Sequence, residues 1–440
     1  MEGLLSLRTE LTSECGNTYR VEKLLGAGGQ GEVYDVSCGS NHYALKWYFK
    51  SSATETQKKI LDKLIEKGSP TKNEDKDIFL WPIDLVYKAK GEPFGYIMEL
   101  REKQYKGIVD LMKCRIQPSF LNLIKACYNL TKGYLKLHEQ GYQYRDISFG
   151  NAFFDPDTGD VKICDNDNVT PNNAKEGGIK GTPRFMAPEI VRGEAKPSRN
   201  TDRFSLAVLL FYMLMVSHPL EGKEEAKIKC MDPAAMRKLY GTNPVFIYDP
   251  DNDTNRPKPG YHENAITFWK MYPQYIQDLF IQSFTVGLNT PAKRVTENQW
   301  LDALAKLMSG IVKCQTCRAE MFYDDIKGKT GHICWNCGQT VKMGSHMVIG
   351  KGKKAVHIPI TSETKIFSHH INGDYDMETI VGEVVSNPND PAKWGVRNKT
   401  SQNWTYKKAD GTQIAVASGK AAGIAKNVSI DFGMVEGMFE

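Results

Sequence analysis

The chain has 440 residues, 41% hydrophobic and 25% charged, a balance that excludes the disordered and fibrous classes and, at this length, predicts two to four folded units. A formal charge of +5 is small for this size and does not by itself imply a nucleic-acid partner. No secretory signal is expected from the opening residues, and the longest apolar run, Phe204 to Val216, falls short of the roughly 20 residues a bilayer span needs. It reads as a buried helix, with no membrane association expected. Four of the ten cysteines lie in two pairs near the end and six are scattered, the thiol and metal usage of a reducing, cytoplasmic setting.

The first chemistry-bearing stretch is "LLGAGGQGEVYDVSCGSNHYALKWY". A dinucleotide fingerprint needs a helix after its glycines, whereas Gly26, Gly28 and Gly31 are followed by the alternating run "EVYDV" and a turn, so strand, glycine loop, strand is predicted. Taken alone, a plain glycine-rich hairpin fits equally well. The next strand, "YALKW", carries Lys46 fifteen residues beyond Gly31, on an apolar segment where a lysine is costly unless paired. "SATETQKKILDKLIEKG" is helical by the spacing of Ile60, Leu61, Leu64 and Ile65.

Further along come "YQYRDISFGNAFF" with Arg145, Asp146 and Asn151, and "VKICDNDNV" with Asp165 nineteen residues after Asp146. "GTPRFMAPEI" ends in Ala187, Pro188 and Glu189; Asp202 opens the long apolar helix; Arg294 stands in "PAKRVT". In this order the segments resemble a eukaryotic-type (Hanks-type) protein kinase over roughly Tyr19 to Met308, with an α+β, bilobal fold. The expected kinase domain is 15–310, its amino lobe about 15–100 and its carboxyl lobe about 101–310.

The resemblance implies an ATP site made by Gly26, Gly28, Gly31, Val33, Ala44 and Lys46. Met98 would guard the adenine pocket, although an ordinary core methionine fits the same position, and Glu99 to Arg101 would form the hinge. Asn151 and Asp165 would hold magnesium, Asp146 would take or orient the proton of the acceptor hydroxyl, and Arg145 would belong to the catalytic loop and be able to bind a phosphate. Glu189, Asp202 and Arg294 would be structural, with Arg294 pairing Glu189. Lys46 normally pairs with a glutamate of the following helix: Glu55 is the choice here, with Gln57 the residue that alignment of "KKIL" would put in that place.

The pattern departs from the family at three places. Tyr144 replaces the histidine before Arg145, and the metal-binding triplet is Asp165-Asn166-Asp167, without the phenylalanine whose packing switches many kinases. Asp167 stands for a glycine and reads either as a solvated loop aspartate or as a further metal contact. Thr170 is the only hydroxyl residue between Asn168 and Lys180, so control by phosphorylation of that loop is expected to be weak. "GTPRFMAPE" resembles the serine/threonine class, with Thr182 facing substrate, although Ser148 replaces the lysine usual in that class. Asp249, Asp251 and Asp253 resemble the start of a calcium loop but lack its glycine and glutamate, so a polar surface insertion is expected.

Two CxxC knuckles, Cys314 with Cys317 and Cys334 with Cys337, are separated by sixteen residues. Four thiolates close a tetrahedral site, which predicts a structural Zn2+ ribbon at 311–343. "GSHM" at 344–347 reads as a linker. From 348 to 440 short alternating runs and the Asp410-Gly411 turn predict an all-β sandwich, with Trp394, Trp404 and Phe432 in its core. Its final strands resemble a forkhead-associated domain, but the glycine-arginine and serine-x-x-histidine pattern that reads phosphothreonine is not found. The order of kinase, ribbon and sandwich resembles bacterial kinases of tellurium-resistance-associated systems, which implies a von Willebrand factor A-type protein and a cognate phosphatase as partners. The expected function is ATP- and magnesium-dependent phosphorylation of a protein substrate. The competing readings are a silenced nucleotide-binding scaffold and, last, a nucleic-acid ribbon lacking the dense basic cluster such a role needs.

Overall fold

The computed structural model describes residues 3–88, 93–174, 181–323, 332–341, 344–352 and 355–440. It divides into two compact units, one of Met1–Trp269 with Asp278–Leu301, the other of Lys270–Gln277 with Asp302–Glu440.

The first unit begins with β1 (Glu10–Ser13), β2 (Thr18–Ala27), β3 (Gly31–Cys38), β4 (Asn41–Tyr48), helix α1 (Glu55–Lys67), β5 (Asp84–Tyr87) and β6 (Phe94–Glu99). The strands close into a barrel in the order β1-β2-β3-β4-β6-β5. Alternation sorts their side chains: Val21, Tyr34, Val36, Leu45, Trp47, Val86 and Ile97 fill the interior, while Ala44, Tyr48, Tyr96 and Met98 pack with Leu61 of α1 in a second cluster. Lys46 shares the face of Ala44 and Tyr48 by its period of two. The helix forms as its spacing predicted: Thr54 caps it by accepting from the Gln57 amide at 3.1 Å, and Leu61 and Leu64 are buried.

The chain continues through β7 (Lys106–Gly107), α2 (Ile108–Met112), α3 (Phe120–Glu139), β8 (Tyr142–Gln143), β9 (Ala152–Phe154), β10 (Val161–Ile163), β11 (Thr170–Pro171), α4 (Pro188–Arg192) and α5 (Arg199–Met215). Strands β10, β9 and β7 form one small sheet, β11 and β8 another. Helix α5 holds the apolar run and is buried along nearly its whole length, with a Ser198–Thr201 capping box at its start. Then come α6 (Pro233–Arg237), α7 (Glu263–Trp269), α8 (Gln274–Phe284), α9 (Val286–Asn289) and α10 (Glu297–Ser309). Phe204 and Phe211 of α5 pack edge-on against Phe284. The bond between Arg294 and Glu189 is bidentate and buried, both nitrogen–oxygen distances being 2.8 Å.

In the second unit β12 (Ile311–Lys313) with β13 (Glu320–Phe322), and β14 (His332–Ile333) with β15 (Thr340–Val341), form two short hairpins that present the cysteine pairs. Residues 324–331 and 342–343 of the expected ribbon lie outside the described residues. The rest comprises β16 (His346–Ile349), β17 (Val356–Pro359), β18 (Lys365–Phe367), α11 (Ser368–Asn372), β19 (Ile380–Asn387), β20 (Asp390–Asn398), β21 (Trp404–Lys407), β22 (Gln413–Val416), β23 (Ala421–Gly423), β24 (Ser429–Asp431) and β25 (Glu436–Phe439). A six-stranded sheet, β17-β16-β25-β24-β21-β22, and a four-stranded sheet, β18-β19-β20-β23, share one apolar core. Trp404 and Phe432 meet there edge to face at 4.8 Å, and Trp394 packs against that core half-buried. The Asp410-Gly411 turn closes the β21–β22 hairpin, with Gly411 at φ 86°. The "GSHM" stretch is not a linker throughout: Met347 is fully buried in β16, paired with β17 and β25. Replacing Trp404 by alanine is expected to destabilise this unit by about 3–5 kcal/mol, measured as accelerated amide hydrogen exchange in β21, β22 and β24; unchanged exchange would contradict the packing described.

Candidate active site

The glycine loop joins β2 to β3. The Gly28 amide bonds the Gly31 carbonyl at 2.8 Å, turning the chain, and a Cβ on Gly31 would stand 2.2 Å from the Trp47 carbonyl oxygen of β4. Glycine is therefore required at Gly31 by close backbone approach, while Gly26 is exposed with open space around it and Gly28 is exposed, a Cβ there meeting only the Gly31 carbonyl oxygen at 4.0 Å. Val33 and Tyr96 flank Lys46 across the sheet, and Ala44 is paired with Met98. Met98 is buried; Glu99 and Arg101 are exposed beyond it.

Lys46 is buried, and its ammonium has three sets of partners. It donates to both Asp167 carboxylate oxygens at 3.0 and 2.9 Å, to Gln30 Oε1 at 3.1 Å and to Asp165 Oδ1 at 3.4 Å. Burial works against the charge, but the Asp167 and Asp165 carboxylates more than offset it and raise the lysine pKa above its usual value. Glu55 is not among these partners: it lies exposed at the first position of α1. The helix instead presents Gln57, whose side-chain amide donates to the Asp167 carbonyl at 2.9 Å and to the Tyr48 hydroxyl at 3.2 Å.

Asp167 is neither solvated nor turned outward. Its side chain is fully buried and, besides Lys46, accepts from the Tyr48 hydroxyl at 2.5 Å and the Tyr96 hydroxyl at 3.1 Å. Asn166, where the family carries an apolar plug, is also buried and donates to the main-chain oxygens of Leu80 at 2.8 Å and Ile163 at 3.0 Å. Asp165 adopts a left-handed backbone, φ 54°, at the head of a 3-10 turn over Asn166–Asn168. Burial holds its carboxyl above the usual range; Lys46 pulls the other way, and Asp167 and Asp146 add to the rise.

The catalytic-loop segment is hung from Asp202. That carboxylate accepts from the main-chain amides of Tyr144 at 2.6 Å and Arg145 at 3.0 Å and meets His138 Nε2 at 3.1 Å. Arg145 is buried with φ 75°, a left-handed conformation this clamp sustains. Tyr144 stands in for the histidine by donating its hydroxyl to the Cys164 carbonyl, just before Asp165. Asn151 donates to the Asp146 carbonyl at 2.9 Å and carboxylate at 3.1 Å, and Thr182 donates to the other Asp146 oxygen at 2.8 Å. The Asn151 carbonyl in turn accepts from the Cys164 amide at 3.0 Å. Asp146, Asn151, Asp165 and Lys46 thus form one connected set at the mouth of the glycine loop, with Gln30 of that loop reaching Asn168 at 3.5 Å. The loop stretch 175–180 lies outside the described residues.

In the second unit the four cysteine sulfurs lie within 4.8 Å of one another. Sulfurs bound to one zinc at about 2.3 Å stand about 3.8 Å apart in a tetrahedron; the pairs Cys314–Cys337 and Cys317–Cys334 are separated by 3.7 and 3.6 Å. Backbone amides aim at the thiols, that of Ala319 chiefly lowering Cys317 to about 6. The donor set and spacing fit a tetrahedral metal.

A family model for the protein kinase domain matches residues 19–303. The chain belongs to the protein kinase family. Similar proteins include a "probable serine/threonine-protein kinase" of Zea mays, 26% identical over 222 residues that cover 47% of this chain and 33% of the relative. Human protein kinase C delta type is 27% identical over 228 residues, 50% of this chain and 32% of its own length. Protein kinase C-like 2 of Schizosaccharomyces pombe is 35% identical over 100 residues, 21% of this chain and 9% of its own length. The chain therefore spans about a third or less of the length of these relatives.

Sequence reasoning missed Asp167, Gln30, Tyr48, Tyr96, His138 and Glu297 as parts of this kinase site and its support. Tyr48 alone left a signal, standing two residues from Lys46 on the same strand face. Glu297 bonds His138 Nδ1 at 2.8 Å and Arg203 at 3.0 Å, so it stiffens the clamp on Asp202. Burial pushes Glu297 up, but the bonds from His138 and Arg203 prevail and hold it at about 2 against an ordinary 4.5. A carboxylate lowered in the fold stabilises above its ordinary pKa and loses that contribution as pH falls toward 2; His138, raised above 6.5, loses its contribution as pH rises through the folded value. Glu297→Gln should therefore cost about 3 kcal/mol near pH 6 and flatten the acid limb of stability between about pH 5 and 2; an unchanged limb in urea titrations would refute the assignment.

Proposed function

We propose that this chain is an ATP- and magnesium-dependent protein kinase that transfers the γ-phosphoryl group to serine or threonine hydroxyls of a protein substrate. The observation that carries the reading is the connected set of Lys46, Asp165, Asn151 and Asp146 beneath a glycine loop. Phosphoryl transfer demands alignment and charge neutralisation more than covalent help. Gly26, Gly28 and Gly31 would cover the phosphates, with Val33, Ala44 and Met98 around the base and Glu99 to Arg101 offering hinge backbone. Lys46 would hold phosphate oxygens with the donors now spent on Gln30 and Asp165.

Asp165 and Asn151 would hold Mg2+, which supplies neutralisation of the phosphate charge when bound. Asp146, half-buried and fixed by Asn151, would accept the hydroxyl proton or orient the hydroxyl; Thr182, bonded to the same carboxylate, supports a hydroxyl acceptor at that position. The relatives' names support the serine/threonine class, and Ser148 in place of the usual lysine leaves Asp146 without that neighbouring cation. Asp146→Ala should lower transfer from labelled ATP to a basic acceptor protein by about a hundredfold or more while leaving ATP binding in place. Equal transfer by both forms would overturn the assignment, and binding without transfer in either would favour the silenced scaffold.

The ribbon would hold Zn2+ as a structural metal through Cys314, Cys317, Cys334 and Cys337, and the forkhead-associated-like sandwich would recruit or orient the substrate. Among the described residues no helix is long and apolar enough to cross a membrane. By the resemblance to tellurium-resistance-associated kinases, a von Willebrand factor A-type protein and a cognate phosphatase are the partners to test first. Elemental analysis should find a single zinc per chain, lost with Cys317→Ser together with exchange protection of β12 to β15. Retained protection without metal would refute a structural role.

A further inference from the structure

Kinases ordinarily couple their β-strand lysine to a glutamate of the following helix, and helix position then controls activity. Here Glu55 is exposed, and the residue that α1 presents to the site is the neutral Gln57. A buried ammonium without a carboxylate would be costly. The carboxylate is present, but it comes from the metal-binding loop, 121 residues away in sequence.

We infer that Asp167 is the residue that positions Lys46 for the nucleotide, so that the loop carrying Asp165, and not helix α1, sets the lysine. The inference rests on the kinase reading above and adds a positioning residue to it.

Three features of the geometry support this role. Asp167 holds Lys46 with both oxygens at 3.0 and 2.9 Å, whereas Asp165 is farther, at 3.4 Å. Were Asp165 to hold a metal, Lys46 would therefore keep a charge-assisted partner that has no access to solvent. The Asp167 carboxylate is itself fixed by the Tyr48 and Tyr96 hydroxyls, both donors from barrel strands, so the pair is anchored to the same sheet that carries Lys46. Asn166 and Gln57 complete the arrangement: Asn166 staples the loop to the Leu80 and Ile163 carbonyls, and Gln57 bonds the Asp167 carbonyl. In this loop the residue before Asp167 is held inward by hydrogen bonds to main chain, where an apolar plug would be free to slide. Lys46 and Asp165 are thereby placed by one hydrogen-bonded turn.

The inverse exchange tests it. Asp167→Gly restores the family's usual glycine and removes the carboxylate; Gln57→Glu returns a carboxylate to α1 at a position within hydrogen-bond reach of the Tyr48 hydroxyl. In the full chain, Asp167→Gly should raise KM for ATP and lower kcat/KM by roughly 10- to 100-fold, and adding Gln57→Glu should recover most of that loss. A second readout needs no transfer: the dissociation constant for ATP, measured for Asp167→Asn in the native chain and in the Lys46→Met background. The isosteric change should weaken binding roughly 10-fold in the native chain and leave it unmoved in the Lys46→Met background, because Asp167 acts through the lysine it holds with both oxygens.

If Asp167→Asn weakens ATP binding only where Lys46 is present but no form transfers phosphate, the positioning survives and the kinase reading fails. If ATP binding is unmoved in Asp167→Asn, or if Glu55→Gln weakens it instead, the inference is overturned. Equal weakening with and without Lys46 assigns Asp167 a purely structural role and also overturns it.

Discussion

The ion pair of Lys46 and Asp167, closed off from water, is the interaction on which the rest of the site depends. Neither charge is tolerable alone in that position, since separating such a pair leaves an uncompensated buried charge at a cost of about 3–5 kcal/mol. The surrounding sequence supplies what the pair requires. Tyr48 and Tyr96 saturate the carboxylate, Gln30 and Asp165 take the remaining donors of the ammonium, and strand alternation puts Lys46, Tyr48 and Ala44 on one face. A pair fixed in this way joins the barrel to the loop that bears Asp165 without help from a charged residue of α1.

A second buried charge system organises the other side of the cleft. Asp202 gathers the amides of Tyr144 and Arg145, His138 bridges it to Glu297, and Arg203 closes the chain on Glu297. Tyr144 then reaches across to the Cys164 carbonyl. The two systems meet at the segment Cys164 to Asp167, so the putting together of Asp146, Asn151 and Asp165 follows from hydrogen bonds made mainly by buried groups behind them. The Arg294–Glu189 pair plays the same anchoring part for α4.

Much of this was legible in the sequence. The glycine loop, Lys46, the Arg145–Asn151 run and Asp165 are recognisable because close spacing on single elements is a local property, and the kinase fold follows from their order. The β-sandwich was legible in its alternation and in the Asp410-Gly411 turn, and the cysteine cluster in its spacing. Asp167 was not, because an aspartate in a polar loop reads as solvated unless its distant surroundings are known; its meaning lies in strands remote in sequence. Glu55 was misread for the complementary reason. It is the acidic residue nearest the start of α1, but the Thr54 cap sets the helix phase so that Gln57, two residues later, faces the cleft. Met347 was hidden by a composition that resembles a linker, while pairing with two strands made it core.

The most direct measurement is a crystal structure of the full chain with magnesium and a non-hydrolysable ATP analogue. The account predicts that Lys46 Nζ keeps both Asp167 oxygens within hydrogen-bond distance while exchanging Gln30 and Asp165 for phosphate oxygens, with Asp165 and Asn151 turned to the metal. A nucleotide-bound chain in which Lys46 pairs with a carboxylate of α1, and Asp167 faces solvent or the metal, would contradict it.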